Sequence, residues 1–93
     1  AVLEEEEFVR LPGGDPDGIA FDIEGNLYAA HFGSGTVYII SPSGAILNSL
    51  KTPGKKPTNI EFGGPDLRTL FLTEVETSAL YRLPVPLAGA ALN

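Results

Sequence analysis

The chain has 93 residues, a hydrophobic fraction of 43%, 11 glycines and 8 prolines, which is room for one small domain rich in tight turns and excludes whole-chain disorder. It has no cysteine, so there is no disulfide and no thiolate metal site. A net charge of −6 excludes the basic surface that nucleic acid requires, and no apolar run is long enough for a membrane span or a signal peptide.

The run Glu4-Glu5-Glu6-Glu7 reads as a solvated edge, because adjacent carboxylates on a strand alternate faces and do not converge on one ion. Phe8–Leu11 reads as a first short strand, followed by the loop Pro12-Gly13-Gly14-Asp15-Pro16. Short β-branched and aromatic runs bounded by turn residues then predict strands over 18–22, 27–32, 36–41 and 45–50. After a loop over 52–57, further strands are expected near 58–62, 69–74 and 78–83. Pro84 and Pro86 are expected to stop further pairing, and only 87–92 has any helical character.

Within this series one stretch occurs twice. PDGIAFDIEGNLYAAHFGSGTVY, from Pro16, is matched by PTNIEFGGPDLRTLFLTEVETSALY, from Pro57. Pro16 matches Pro57, Ile19 Ile60, Phe21 Phe62, Leu27 Leu70 and Tyr38 Tyr81. A repeat of roughly 40 residues filled with short strands is the pattern of propeller blades. The expected fold is therefore all-β, a partial β-propeller of about two four-stranded antiparallel blades. Residues 1–15 form a leading strand and loop, 16–50 the first blade, 57–83 a three-stranded second blade, and 84–93 a tail. The leading strand is the piece that the second blade lacks.

The elements PDG…D.EGNLY and FGGPD…L..TE, with LYRLPVP after them, resemble the C-terminal part of the family uniting senescence marker protein (regucalcin), gluconolactonase and luciferin-regenerating enzyme. The resemblance runs from about Leu11 to Pro86. It implies a six-bladed propeller, of which this chain is a truncated portion, and hydrolysis of a sugar or similar lactone with one divalent cation, usually calcium, in the central channel. It also implies that Asp17, the Asp of PDG, is a metal ligand. The resemblance supplies no counterpart here for the family's other protein ligands.

The residues admit plainer readings. Asp17 suits an Asx-type turn beside Gly18. Asn59 could line the substrate channel or satisfy turn backbone, and Glu74 is expected at the same channel mouth. His31, the only histidine, could act as base in lactone hydrolysis, or serve as a packing residue at a strand end. Asp22 with Glu24-Gly25-Asn26, and Gly63-Gly64-Pro65-Asp66, read as structural turns, and Lys51, Lys55 and Lys56 as solvated loop charge. A lactonase reading therefore stands beside a non-enzymatic one, a self-assembling scaffold or binding module. The expected partners are copies of the chain, a trimer completing a six-bladed ring or, as the alternative, a dimer, with a small-molecule lactone as ligand and no nucleic acid or membrane. The expected compartment is the cytoplasm rather than the periplasm.

Overall fold

Seven strands form two antiparallel sheets in a computed structural model that describes residues 6–85 and 87–90. The first sheet has the order β1 (Asp15–Phe21), β2 (Leu27–Phe32), β3 (Thr36–Ile40), β4 (Ile46–Lys51). The second has the order β5 (Pro57–Gly63), β6 (Thr69–Glu74), β7 (Ala79–Pro84). Each strand pairs with its sequence neighbour, so each repeat folds as its own meander, and no helix is found among the described residues. No helix of the described residues is long and apolar enough to cross a membrane.

The repeat is structural down to its irregularities. Pro16 pairs with His31, after which the ladder slips before Ile19 pairs with Ala29. Pro57 pairs with Glu74, and the ladder slips again before Asn59 pairs with Thr73. Pro57 is the first and Pro16 the second residue of its innermost strand, near the strand start on a strand with one open side, where a proline is tolerated. The extra residues of each bulge fall at Asp17-Gly18 and at Thr58.

The sheets meet face to face. Tyr28, Ala30, Val37 and Ile39 of the first are buried against Ile60, Leu70 and Leu72 of the second, with Ala20, Leu50, Phe62, Tyr81 and Leu83 packed around them. The first sheet thus offers one face to the seam, and the second offers the opposite one. Its seam residues Ile60, Phe62 and Leu70 are the repeat counterparts of Ile19, Phe21 and Leu27. Those counterparts lie on the first sheet's other face, where Ile19 is 56% and Phe21 50% exposed.

The turns behave as their composition predicts. Asp22 is buried and organises the β1–β2 turn. Its carboxylate accepts the Glu24 N–H at 2.9 Å, the Asn26 N–H at 3.0 Å and the Asn26 side-chain amide at 3.0 Å. Burial, together with the Asp22 charge and a hydrogen bond to it, pushes the Tyr28 hydroxyl up to about 12, so this core tyrosine remains a neutral donor.

Three expectations are corrected. Residues 6–11 form no strand, because a strand needs a ladder partner and none pairs with them among the described residues. The segment instead runs against the β3–β4 turn, where a Cβ on Gly44 would come within 2.7 Å of the Phe8 carbonyl oxygen. The tail does not stop pairing at its prolines. Gly89 bridges Asp22, Ile23 N–H donates to Ala88 O at 2.8 Å, and Ala90 N–H donates to Phe21 O at 2.9 Å. Residues 87–90 are not helical; Glu4, Glu5, Pro86 and 91–92 lie outside the described residues.

Candidate functional site

The two innermost strands, β1 and β5, run side by side, and the bulges fix how closely. A Cβ on Gly18 would stand 2.6 Å from Asn59 Oδ1 and 2.8 Å from Thr58 O. Only a residue without a side chain allows this approach, which is a physical reason for Gly after Asp17. Asp17 is exposed in its bulge, and Asn59 is exposed one step beyond its own. The structure therefore brings the Asp17-Gly18 bulge against Asn59, at the same end of the two inner strands.

Asn59 is partly engaged. Its Oδ1 accepts the Ile60 N–H at 3.0 Å, and its backbone N–H donates to Thr73 Oγ1 at 3.1 Å. Asn59 thus both holds its bulge and keeps an exposed amide at the inner edge. From there a cleft of about 430 Å³ runs between the strands, lined by Ile19, Phe21, Asn59, Ile60, Glu61 and Phe62, with Ala90 of the tail closing against it. Glu61 was not singled out from the sequence. The signal was available, since Asn59 and Glu61 are two apart on one strand and share a face.

His31 and Glu74 lie at this same end but are buried. They are repeat counterparts, each opposite the proline before a bulge and each followed three residues later by a hydroxyl. The His31 ring is capped by Gly14, meets Tyr38 edge-on with centroids 5.3 Å apart, and places Nδ1 2.6 Å from Ser34 Oγ. Its Nε2 has no hydrogen-bond partner among the described residues. Glu74 accepts the Lys56 N–H at 2.7 Å, the Thr77 N–H at 2.6 Å and the Thr77 hydroxyl at 2.7 Å. Desolvation raises the Glu74 carboxyl, but hydrogen bonds from Thr77, Lys56 and Glu76 outweigh it and hold the group at about 2. The carboxylate packs directly on Gly54, so it pins the loop between the sheets to the β6–β7 turn.

Asp17 and Asn59 are thus the groups presented outward, while His31 and Glu74 are engaged inside the fold. Among the described residues, no group of three or more His, Cys, Asp or Glu side chains is placed to hold a metal ion. Asp17 and Asn59 are oxygen donors, the kind that a hard cation takes, but calcium needs about six to eight oxygens. The residues of this chain do not by themselves make that shell.

Two like-built antiparallel sheets, packed face to face with their first strands adjacent on one side, are two blades of a β-propeller. Residues 1–76 match the SMP-30/gluconolactonase/LRE-like region, and the chain belongs to that family. It is 48% identical over 67 residues to a 6-deoxy-6-sulfogluconolactonase of Pseudomonas putida, covering 72% of this chain and 23% of that protein. It is 37% identical over 75 residues to a pentonolactonase of Haloferax volcanii, covering 78% and 26%. Among solved structures it is similar to a calcium-binding protein, regucalcin, of Agrobacterium tumefaciens, with a TM-score of 0.81, 25% identity, and coverage of 91% of this chain and 34% of that one. The chain spans about a quarter of the length of these curated relatives and a third of that solved chain.

Proposed function

We propose that the chain contributes two blades, and the Asp17–Asn59 edge, to a lactone-hydrolysing propeller whose channel is completed by further blades. The observation that carries this reading is Asp17, exposed in a bulge at the unpaired edge of β1 and set against Asn59 across Gly18. Membership of a lactonase-containing family supports the reaction class. In that reaction a water oxygen bonds to the lactone carbonyl carbon. The ring C–O bond then breaks, and the water proton passes to the released alkoxide to give a hydroxy acid. Asp17 would hold a divalent cation, calcium by analogy with the calcium-binding relative. The cation's remaining ligands would come from outside this chain. Asn59 and Glu61 present an amide and a carboxylate along the cleft, suited to hydroxyl groups of a sugar lactone. Ile19, Phe21 and Phe62 form the apolar wall that faces its carbon skeleton.

The test is acid release from sugar lactones with calcium present, run beside a thermal melt. The expected result is hydrolysis and a calcium-dependent rise in melting temperature, because a ligand bound only by the folded form stabilises it. Both should be lost in Asp17→Ala. A completed propeller containing this chain that releases no acid, or an Asp17→Ala version of it that retains both effects, overturns the reading. The non-enzymatic reading draws on a specific observation: His31 and Glu74 both serve the loops that cover them. A chain that assembles fully yet releases no acid would support it.

A further inference from the structure

The Asp17-Gly18 bond joins an exposed carboxylate to the residue least able to shield a backbone nitrogen. It lies in a bulge, where neither residue has a partner in the ladder register. We propose that this bond is a covalent modification site, at which Asp17 cyclises onto the Gly18 nitrogen and reopens as isoaspartate. In the first step the Gly18 amide nitrogen bonds to the side-chain carboxyl carbon of Asp17. The carboxyl hydroxyl and the amide proton leave together as water, and a five-membered succinimide remains. Water then adds to one of the two ring carbonyls. Addition at the side-chain carbonyl breaks its bond to nitrogen and restores aspartate. Addition at the main-chain carbonyl breaks the original peptide bond instead, so the chain now runs through the Asp17 side chain. The water lost is regained, and solvent is the only reactant.

Packing imposes the reactive pair. A Cβ at position 18 would stand 2.6 Å from Asn59 Oδ1, 2.7 Å from Asn59 Cα and 2.8 Å from Thr58 O, so only glycine fits. The same missing side chain leaves the Gly18 nitrogen open to the residue before it. The other aspartates are guarded. Asp15 precedes Pro16, whose nitrogen has no proton to lose. Asp22 is buried, accepts three hydrogen bonds and precedes the β-branched Ile23. Asp66 accepts the Arg68 N–H at 3.1 Å and precedes Leu67. In the second copy the corresponding pair is Thr58-Asn59, which has no carboxyl group at the first position.

The conversion would be felt beyond residue 17. Isoaspartate adds a carbon to the main chain at the bulge, and Gly18 has no slack toward Asn59, so the added length is carried to the start of β5. The free carboxylate moves from the tip of the side chain to a stub on the rerouted backbone. On the lactonase reading that displaces the group that holds the cation. The modification itself stands on the bulge and is independent of that reading.

The test is ageing of the folded protein at neutral pH, alone and within a completed propeller, beside a free peptide of residues 14–20. Electron-transfer fragmentation tells isoaspartate from aspartate at equal mass, and circular dichroism confirms the sheets throughout. Isoaspartate should accumulate at residue 17, and not at Asp15, Asp22 or Asp66. Its rate should lie within about tenfold of the peptide's, which allows the bulge to add about 1.4 kcal/mol to the barrier. Asp17→Asn should convert several-fold faster, because ammonia leaves by the same attack more readily. Asp17→Glu, which would need a six-membered ring, should stay unconverted. A peptide that converts beside a folded protein that does not overturns the proposal. So does isoaspartate appearing equally at Asp22 and Asp66, which marks unfolding rather than the bulge, or an Asp17→Asn protein that ages no faster than the parent.

Discussion

Replacing Leu72 by Ala tests whether the seam between the sheets holds this chain together. Leu72 is fully buried on the central strand of the second sheet, and it faces the Tyr28–Val37 side of the first. Truncation removes three carbons, worth about 0.8 kcal/mol each in transfer alone, or about 2.4 kcal/mol. The void adds to this, because its walls are strands fixed by ladders on both sides; measured Leu→Ala losses of about 2.7–5 kcal/mol include that term. The expected loss is therefore about 3–4 kcal/mol. A chain of this length has about 5–14 kcal/mol in total at the usual 0.05–0.15 kcal/mol per residue. The control is Leu80→Ala on β7, 66% exposed, which should stay within about 0.5 kcal/mol. Both are read from urea unfolding at a dilution that keeps chains single, with unchanged slopes confirming that the midpoints report stability. Equal losses for the two variants, or a Leu72→Ala loss below about 1 kcal/mol, would refute the face-to-face seam as the source of stability.

Glu74 gives a signed pH dependence. Its folded value of about 2 lies below the ordinary 4.5, so the stability it contributes is fully present above the ordinary value and is lost as pH falls toward 2. The melting temperature should drop across that window, and Glu74→Gln should lower it at neutral pH while flattening the acid limb. Gly18→Ala would drive a Cβ to 2.6 Å from Asn59 Oδ1; the expected outcome is a loss of about 1–3 kcal/mol, as for other overpacked sites, with amide shifts at Asn59 in NMR spectra. Gly89→Ala would place a Cβ on the Phe62 ring and lift the tail, so hydrogen exchange should quicken at Ile23 and Ala90, whose amides the tail contacts hold.

The fold was legible because its information is local and repeated. Alternation of apolar residues set each strand, turn chemistry set each meander, and the Pro16–Pro57 match set the equivalence of the two sheets. The strands run as expected within a few residues; β1 starts earlier, at Asp15, because Asp15 and Pro16 pair with Phe32 and His31. What was not legible depends on partners far away in sequence. Nothing local in Phe8–Leu11 says that it will run against the β3–β4 turn at Gly44 instead of pairing, and nothing in Leu87–Ala90 says that it will lie along Phe21–Ile23.

The site shows the same division. Asp17 stood out because it is the Asp of the PDG element that carries the family resemblance; by itself a carboxylate beside Gly reads as a turn residue. The burial of His31 and Glu74 was hidden, since a polar residue at a strand end is ordinarily wet, and only the returning loops at Gly14 and Gly54 cover them. Yet the repeat held a clue. A histidine in one copy and a glutamate in the other occupy the same position, with Ser34 and Thr77 at the same spacing beyond. In both copies the side chain at this position, imidazole or carboxylate, is tied to a turn hydroxyl. Asp17 is matched across the repeat by Thr58, which keeps its hydroxyl on Thr73 Oγ1 at 2.8 Å. Where the structural positions of the two copies agree in role, Asp17 departs from its counterpart and stays exposed. That contrast between copies is the support that the proposed lactonase reading draws from the inner edge of β1.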